Sequence, residues 1–173
     1  MALIITIGAK SPHVPDSAWV APNATLIGAL TLGERTSVFY GTVLRADLDR
    51  ISIGDDTNLQ DNVVMHVDRG RPAAIGARVS VGHGAILHGC TVEDDCLIGM
   101  GATVMNGAVI GTGSLVAAGA LVTEGMVVPP RSLVAGVPAK VRRELSDAEH
   151  TGVLENATVY LEIAALHRDA VSM

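Results

Sequence analysis

Residues 92–134 read VEDDCLIGMGATVMNGAVIGTGSLVAAGALVTEGMVVPPRSLV, and an aliphatic side chain recurs there at every sixth position. The aliphatic series is Val92, Ile98, Val104, Ile110, Val116, Val122, Val128 and Val134. A small residue stands four positions after most of these, at Cys96, Ala102, Ala108, Ser114, Ala120 and Ser132, with Met126 as the exception. A period of six matches neither a 3.6-residue helix nor a two-residue strand alternation. It predicts a parallel β-helix in which each hexad is a short strand followed by a corner.

The same register extends toward the N-terminus. It continues at Leu87, Val81, Ile75, Met65, Leu59 and Ile53, and then more weakly at Arg45, Phe39, Gly33, Ile27 and Ala21. This pattern resembles the hexapeptide-repeat family of β-helices, in which the coil is left-handed and takes three hexads. On that resemblance the chain contains about six coils, stacked at the inter-strand spacing of ~4.8 Å.

The repeat is expected to end at 134–139, where Pro138 should block further strand pairing. The sequence Ser146-Asp-Ala-Glu149 then forms a capping box that should open a helix over about 146–168. That helix has one apolar face, made of Val153, Leu154, Ala157, Leu161, Ala164 and Ala165. We therefore predict an all-β single domain over 1–173: a β-helix over about 21–139, with a C-terminal α-helix packed on its side.

The composition excludes several classes of partner. The net charge is -6 and no basic stripe is present, so nucleic acid is not expected to bind. No apolar stretch approaches the ~20 residues that cross a bilayer, so no membrane partner is expected either. The chain starts without a secretory signal pattern and has two cysteines, Cys90 and Cys96. These favour reduced thiols in a cytoplasmic protein, although a disulfide or metal role for them stays open.

Three of the six histidines occupy repeat positions with a chemical meaning. His66 follows Met65 and His88 follows Leu87, and the 22 residues between the two histidines equal one coil plus a four-residue insertion. If that insertion bulges from a corner, both rings project outward on adjacent coils and can share one metal ion. His83 lies on another face of the same coil and could join that ion only from a neighbouring subunit, as in a homotrimer. Ordinary surface histidines are the alternative interpretation.

Several segments around these histidines make the chain similar to the gamma-class carbonic anhydrase family. They are Arg45-Ala-Asp47, Asn58-Leu-Gln60-Asp61-Asn62, His66 and His83-Gly-Ala-Ile-Leu-His88-Gly-Cys. The resemblance implies a homotrimer that hydrates carbon dioxide to bicarbonate, with a Zn2+ ion (or Co2+ or Fe2+) held by His66 and His88 of one subunit and His83 of the next. It further implies that Gln60 orients the attacking hydroxide and that Asn58 supports Gln60.

The resemblance also assigns roles to residues that surround the metal. Asp47 would accept a hydrogen bond near the ion, and Arg45 would pair with Asp61 across the subunit interface and lie near the bicarbonate site. Tyr160, on the C-terminal helix, would either reach the pocket or simply pack. One position departs from the family: Leu48 stands where the best-studied members have a proton-transferring glutamate.

Other functions are compatible with the same pattern. A metal-dependent hydrolase acting on a thioester would need the same site. A trimeric metal-binding module without turnover would also keep it. A hexapeptide acyltransferase shares only the fold, and the placement of the histidines on the coils counts against it.

Overall fold

Short parallel strands wound into coils make up most of the chain, and the prediction of a parallel β-helix is confirmed. A computed structural model describes residues 2–170. Its strands are β1 Leu3–Ile5, β2 Trp19–Val20, β3 Thr25–Leu32, β4 Ser37–Val38, β5 Val43–Ile53, β6 Asn58–Leu59, β7 Val64–His66, β8 Ala73–Ile75, β9 Ser80–Val81, β10 Ile86–His88, β11 Thr91–Val92, β12 Leu97–Ile98, β13 Thr103–Val104, β14 Val109–Ile110, β15 Leu115–Val116, β16 Leu121–Val122, β17 Val127–Val128, β18 Ser132–Gly136 and β19 Ala139–Glu144. One helix, α1, spans Asp147–Asp169.

The strands form three faces of a prism. The first face is the series β2-β4-β6-β9-β12-β15-β18. Strands β3 and β5 are long enough to contribute to two faces each. Their first halves lie on the second face, followed by β7, β10, β13 and β16. Their second halves lie on the third face, followed by β8, β11, β14 and β17. The solenoid therefore has about seven turns, one more than predicted. Residues before Ala21 supply the additional turn, because β1 pairs with β3 and His13 pairs with Thr31.

The aliphatic residues of the repeat fill the interior of the prism. From Ile53 to Val134, each of them is at most 3% exposed. Upstream of Ile53 the predicted register is wrong by one residue. The inward side chains there are Leu26, Leu32, Val38 and Leu44, and Arg45 points outward. At Leu26–Ile27 and Val38–Phe39 both registers hold an apolar residue, so the period alone could not choose between them. At Leu44–Arg45 the cost of burying a guanidinium selects Leu44.

The two cysteines take no part in a disulfide. Cys90 and Cys96 are free and buried in the prism. Burial raises the pKa of each thiol to about 12, so both are held as inert thiols.

In the C-terminal part, strand pairing continues beyond the point where it was expected to end. Pro138 lies in the turn between β18 and β19, where no backbone N–H is needed, and β19 then pairs antiparallel to β18. The predicted capping box is present: the Ser146 side chain accepts from the Glu149 N–H, and the Glu149 side chain accepts from the Ser146 N–H. Helix α1 lies along the first face, against β4, β6 and β9.

The buried face of α1 is narrower than predicted. Val153, Ala157 and Ala164 are buried, whereas Leu154 and Ala165 are exposed. Within the part of the chain that the structure describes, no helix has the length and apolar character of a membrane crossing.

Candidate metal centre

Two histidines lie one above the other on the second face. His66 ends β7 and His88 ends β10, and the two residues are paired in register. Because Met65 and Leu87 point into the prism, the residues that follow them point outward. The His66 Nδ1 and the His88 Nε2 atoms face each other at 3.0 Å.

In each of the two rings, the outer nitrogen, which points away from the other histidine, contacts a hydrogen-bond acceptor. The His66 Nε2 atom is 2.9 Å from the Asp47 Oδ1 atom, and the His88 Nδ1 atom is 2.8 Å from the Asn106 Oδ1 atom. A ring nitrogen that donates to such an acceptor carries the proton of the neutral imidazole. When both rings are neutral, the inner nitrogens, His66 Nδ1 and His88 Nε2, each present a lone pair to the other.

Two facing lone pairs repel unless a cation lies between them, and the spacing suits a metal ion. Two nitrogens bound at ~2.1 Å to one tetrahedral ion are ~3.4 Å apart, close to the observed 3.0 Å. The Asp68 carboxylate belongs to the same cluster, with the ligand atoms of His66, Asp68 and His88 all within 4.8 Å of one another. The residues present therefore fit a divalent cation.

Asp47 connects the pair to a guanidinium. Arg45, also on β5, donates to the Asp47 Oδ2 atom at 2.5 Å. Burial raises the pKa of Asp47, but the hydrogen bonds from Arg45 and His66 outweigh that effect and lower the pKa below its ordinary value. Asp47 therefore stays anionic and keeps accepting from His66.

His83 lies apart from this pair, at the corner that follows β9. Its Nδ1 atom is 2.9 Å from the Asp61 Oδ2 atom, and its Nε2 atom is 3.3 Å from the Tyr160 hydroxyl. The cluster of metal-binding groups in the described residues includes His66 and His88 but not His83. One chain thus carries two candidate half-sites, the histidine pair on the second face and His83 at the corner after β9, and in both an acceptor holds one ring nitrogen of each histidine.

The half-site around His83 contains the predicted amide residues. The Gln60 Nε2 atom donates to the Asn58 Oδ1 atom at 3.1 Å, and the Asn58 Nδ2 atom donates to the Ser80 Oγ atom at 2.8 Å. Both amides are buried. Gln60, His83 and Tyr160 line a cavity of about 410 Å³ between α1 and the first face. The chain of amides fixes the orientation of Gln60 at the wall of this cavity.

Tyr160 reaches the site and also packs. Its ring contacts Phe39 edge-on, with centroids 5.5 Å apart. Burial, together with the nearby charge of Asp61, raises the pKa of the Tyr160 hydroxyl, which is therefore neutral at physiological pH. The same aromatic cluster contains His167, whose Nδ1 atom is 2.8 Å from the Tyr40 hydroxyl.

Within one chain, Arg45 and Asp61 do not meet. Arg45 binds Asp47 on the second face, and Asp61 binds His83 at another corner. Sequence reasoning missed Asn106 altogether. Asn106 stands 18 residues after His88, which is one coil, so the coil arithmetic that places His66 beside His88 could have found it.

Comparison with known proteins agrees with this architecture. The family model described as bacterial transferase hexapeptide (six repeats) matches residues 89–124, and that of the hexapeptide repeat of succinyl-transferase matches residues 70–104. A Methanocaldococcus jannaschii protein assigned to the carbonic anhydrases is 54% identical over 84% of this chain and 91% of its own length. Gamma carbonic anhydrase 2 of Arabidopsis thaliana, a mitochondrial protein, is 41% identical over 91% of this chain, which spans only 59% of that relative. A Bacillus cereus crystal structure described as an acetyltransferase superposes with a TM-score of 0.94 at 37% identity, covering 96% of both chains.

Proposed function

Because this chain belongs to the gamma carbonic anhydrase family, we propose that it hydrates carbon dioxide reversibly at a metal ion between two subunits. His66 and His88 of one subunit and His83 of the next would bind the ion. One observation carries the proposal: each of the three rings has one nitrogen held by Asp47, Asn106 or Asp61. The second nitrogens of His66 and His88 face each other, and that of His83 faces only the Tyr160 hydroxyl, at 3.3 Å, which a metal would displace.

A homotrimer is the assembly that would join the two half-sites. Apolar side chains lie beside both of them. Val64 and Ile86, next to the histidine pair, are 41% and 43% exposed, and Met100, beside the His83 cavity, is 59% exposed. Adjacent exposed apolar residues mark an interaction surface. A three-fold axis brings one such surface of each subunit against the other surface of its neighbour and so closes three equal sites.

When bound at this position, a Zn2+, Co2+ or Fe2+ ion would lower the pKa of water and supply a nucleophile at neutral pH. Gln60, held by Asn58, would orient that nucleophile through its amide. Asp47 would hold the ring of His66, and the Arg45 charge would attract anionic bicarbonate. Tyr160 would close the wall of the pocket beside His83.

The same assembly would create the predicted ion pair. Arg45 lies next to His66 on the second face, and Asp61 binds His83. Bringing His83 of one subunit to His66 of another therefore brings Arg45 within reach of Asp61. We propose that this pair links the subunits. The two free thiols suit a reducing compartment, and the cytoplasm is the proposed location.

Stopped-flow measurement of carbon dioxide hydration tests the proposed activity. Protein loaded in parallel with Zn2+, Co2+ or Fe2+ should show hydration with at least one metal, and His66→Ala should abolish it. Absence of hydration with all three metals in protein that binds them would reject the proposal and leave a metal-binding module.

Thioester hydrolysis is a second candidate, and the cavity is the observation that favours it. About 410 Å³ is far more than carbon dioxide needs, and most of the lining residues are apolar. A metal-dependent hydrolase would use the same histidines with a larger carbonyl substrate. Release of thiol from short acyl thioesters, in the wild type but not in His88→Ala, would support this reaction.

A further inference from the structure

A hydrogen-bonded chain of three side chains leads away from the histidine pair. The His88 Nδ1 atom is 2.8 Å from the Asn106 Oδ1 atom, and the Asn106 Nδ2 atom donates to the Asp68 Oδ2 atom at 2.9 Å. Asp68 follows the strand that carries His66, and Asn106 follows β13 on the coil after His88. The coil before His88, through Asp68, and the coil after it, through Asn106, thus both contribute to holding the His88 ring.

The direction of this chain is determined by Asp68. A carboxylate accepts hydrogen bonds and has none to donate, so the Asn106 NH₂ group must face Asp68. The Asn106 oxygen is then the atom left to face His88. An amide oxygen opposite the Nδ1 atom of His88 requires a proton on that nitrogen, which leaves the Nε2 atom as the metal-binding atom.

The backbone at Gly89 is built to admit the Asn106 side chain. A Cβ atom at Gly89 would lie 2.2 Å from the Asn106 Oδ1 atom and 3.0 Å from the Arg71 carbonyl oxygen. Real Cβ atoms do not approach that closely, so only glycine leaves room for Asn106 to reach His88. Gly89 also has a φ of +51°, a conformation that glycine adopts without strain.

We propose that Asn106, oriented by Asp68 and admitted by Gly89, is the positioning residue that sets the tautomer and ring orientation of His88 for the metal. This inference rests on the proposed function, because it takes His88 as a metal ligand. It assigns Asp68 an indirect role, although its carboxylate lies close enough to the histidines to be considered as a ligand itself.

Metal affinity is the measurement that tests the proposal, by competition with a chromophoric chelator on the full chain loaded with Co2+ or Zn2+. Asn106→Ala should weaken metal binding by about 10- to 100-fold, the usual effect of losing such a partner. The visible spectrum of the Co2+ form should change as well, because the His88 ring is no longer held. Unchanged affinity together with an unchanged spectrum would overturn the proposal.

A double-mutant cycle between Asp68 and Asn106 separates positioning from direct ligation. Asp68→Ala should weaken metal binding about as much as Asn106→Ala, because the amide is no longer oriented. In the Asn106→Ala background, Asp68→Ala should add little further loss, since Asp68 acts through Asn106. A full additional loss in that background would show that the carboxylate is itself a ligand and that the positioning role is wrong.

A double-mutant cycle tests the role of Gly89. Gly89→Ala should weaken metal binding in the wild type but add little in the Asn106→Ala background, since the clash is then gone. Gly125→Ala is the matched control: Gly125 has a φ of +69°, and a Cβ there would meet nothing within 4 Å. Additive losses in the cycle, or an equal loss in Gly125→Ala, would contradict the steric argument.

The tautomer can be read without any variant. Long-range ¹H–¹⁵N spectra of the Zn2+-loaded wild type should show His88 protonated at its Nδ1 atom, and a proton at Nε2 instead would overturn the proposal. His66→Ala distinguishes failure of the proposed metal site from failure of the positioning role of Asn106. If His66→Ala keeps the metal, the proposed metal site itself is wrong; if it loses the metal while Asn106→Ala does not, only the positioning role fails.

Discussion

The chemistry of the candidate centre depends on which ring nitrogen of each histidine carries a proton. Asp47 contacts one ring nitrogen of His66, and Asp61 contacts one of His83. The side-chain amide of Asn106 contacts one ring nitrogen of His88. Hydrogen bonds of this kind fix the tautomer of a metal-binding imidazole before the metal arrives. Removing a ligand ring should therefore affect metal binding far more than folding, since the rings point away from the core.

The first prediction at this scale concerns the metal content of the histidine variants. His66→Ala and His88→Ala should each lose most of the metal and keep the circular dichroism of the wild type. His13→Ala, at a histidine outside both half-sites, is the control and should keep its metal. Elemental analysis of the purified proteins measures the outcome, and full metal content in both ligand variants would disprove the site.

The second prediction concerns proton removal. The side chain of Leu48, next to Asp47 on β5, is exposed and cannot carry a proton. Asp49 accepts hydrogen bonds from the Arg50 and Gly70 N–H groups, and Asp68 accepts from Asn106. We expect slow hydration at low buffer concentration, partly rescued by imidazole, because general acid–base help is commonly worth ~10²–10⁴-fold.

Leu48→Glu should raise the hydration rate at low buffer and weaken the dependence on imidazole. Leu48→Gln has the same shape without a titrating group and should change neither. Stopped-flow assays over a range of imidazole concentrations make the comparison. Fast hydration by the wild type at low buffer would show that another group, such as Asp49 or Asp68, already transfers the proton.

Among the elements, helix α1 does the most to complete the second half-site. It places Tyr160 beside His83 and contributes to the wall of the cavity. Its start is held by the capping box, and Arg143 of β19 binds both carboxylate oxygens of Glu149 at 2.7 and 2.8 Å. These contacts fix where the helix begins, and the aromatic cluster around Phe39 then fixes how it lies.

The third prediction concerns the start of this helix. Ser146→Ala removes the side chain that accepts from the Glu149 N–H, and the loss of such a cap typically costs about 1 kcal/mol of unfolding free energy. Urea denaturation at one fixed protein concentration measures it, because the stability of an oligomer depends on concentration. Glu155→Ala, on the exposed side of α1, is the control, and an equal effect of both changes would argue against the cap.

For the whole molecule, the separation of His83 from the other two histidines is the decisive feature. The faces of the β-helix point in different directions, so the two candidate half-sites of one chain do not face each other. Each half-site of the proposed trimer is completed only by a neighbour. Metal binding and assembly should accordingly be coupled.

The fourth prediction uses this geometry. His83→Ala and His88→Ala chains, unfolded, mixed equally and refolded, should form mixed trimers that each contain one complete set of ligands. With random assembly, roughly a quarter of all sites are then intact. Elemental analysis compares the mixture with each variant refolded alone. Metal in the mixture no higher than in the separate variants would show that the ligands do not come from two chains.

The fold was predictable from the sequence because a solenoid repeats one local rule. An aliphatic residue every six positions must face the interior on every coil, and Ile53 to Val134 do so. The register failed upstream of Ile53, where apolar residues such as Val38 and Phe39 stand at both alternatives. The neighbourhood of His66 and His88 followed from the same counting, since residues one coil apart lie one strand spacing apart.

Counting positions places Cα atoms, but it does not say which side-chain atoms meet. Which nitrogens of His66 and His88 face each other depends on the contacts with Asp47 and Asn106, and Asn106 reaches His88 only because Gly89 has no side chain. The contact of Tyr160 with His83 joins residues 77 positions apart and depends on how α1 packs against the first face. The sequence by itself determined the coil and the stack of histidines through a local period. The protonation pattern and the second half-site were decided by tertiary structure, because they depend on hydrogen bonds and packing between segments that no period relates.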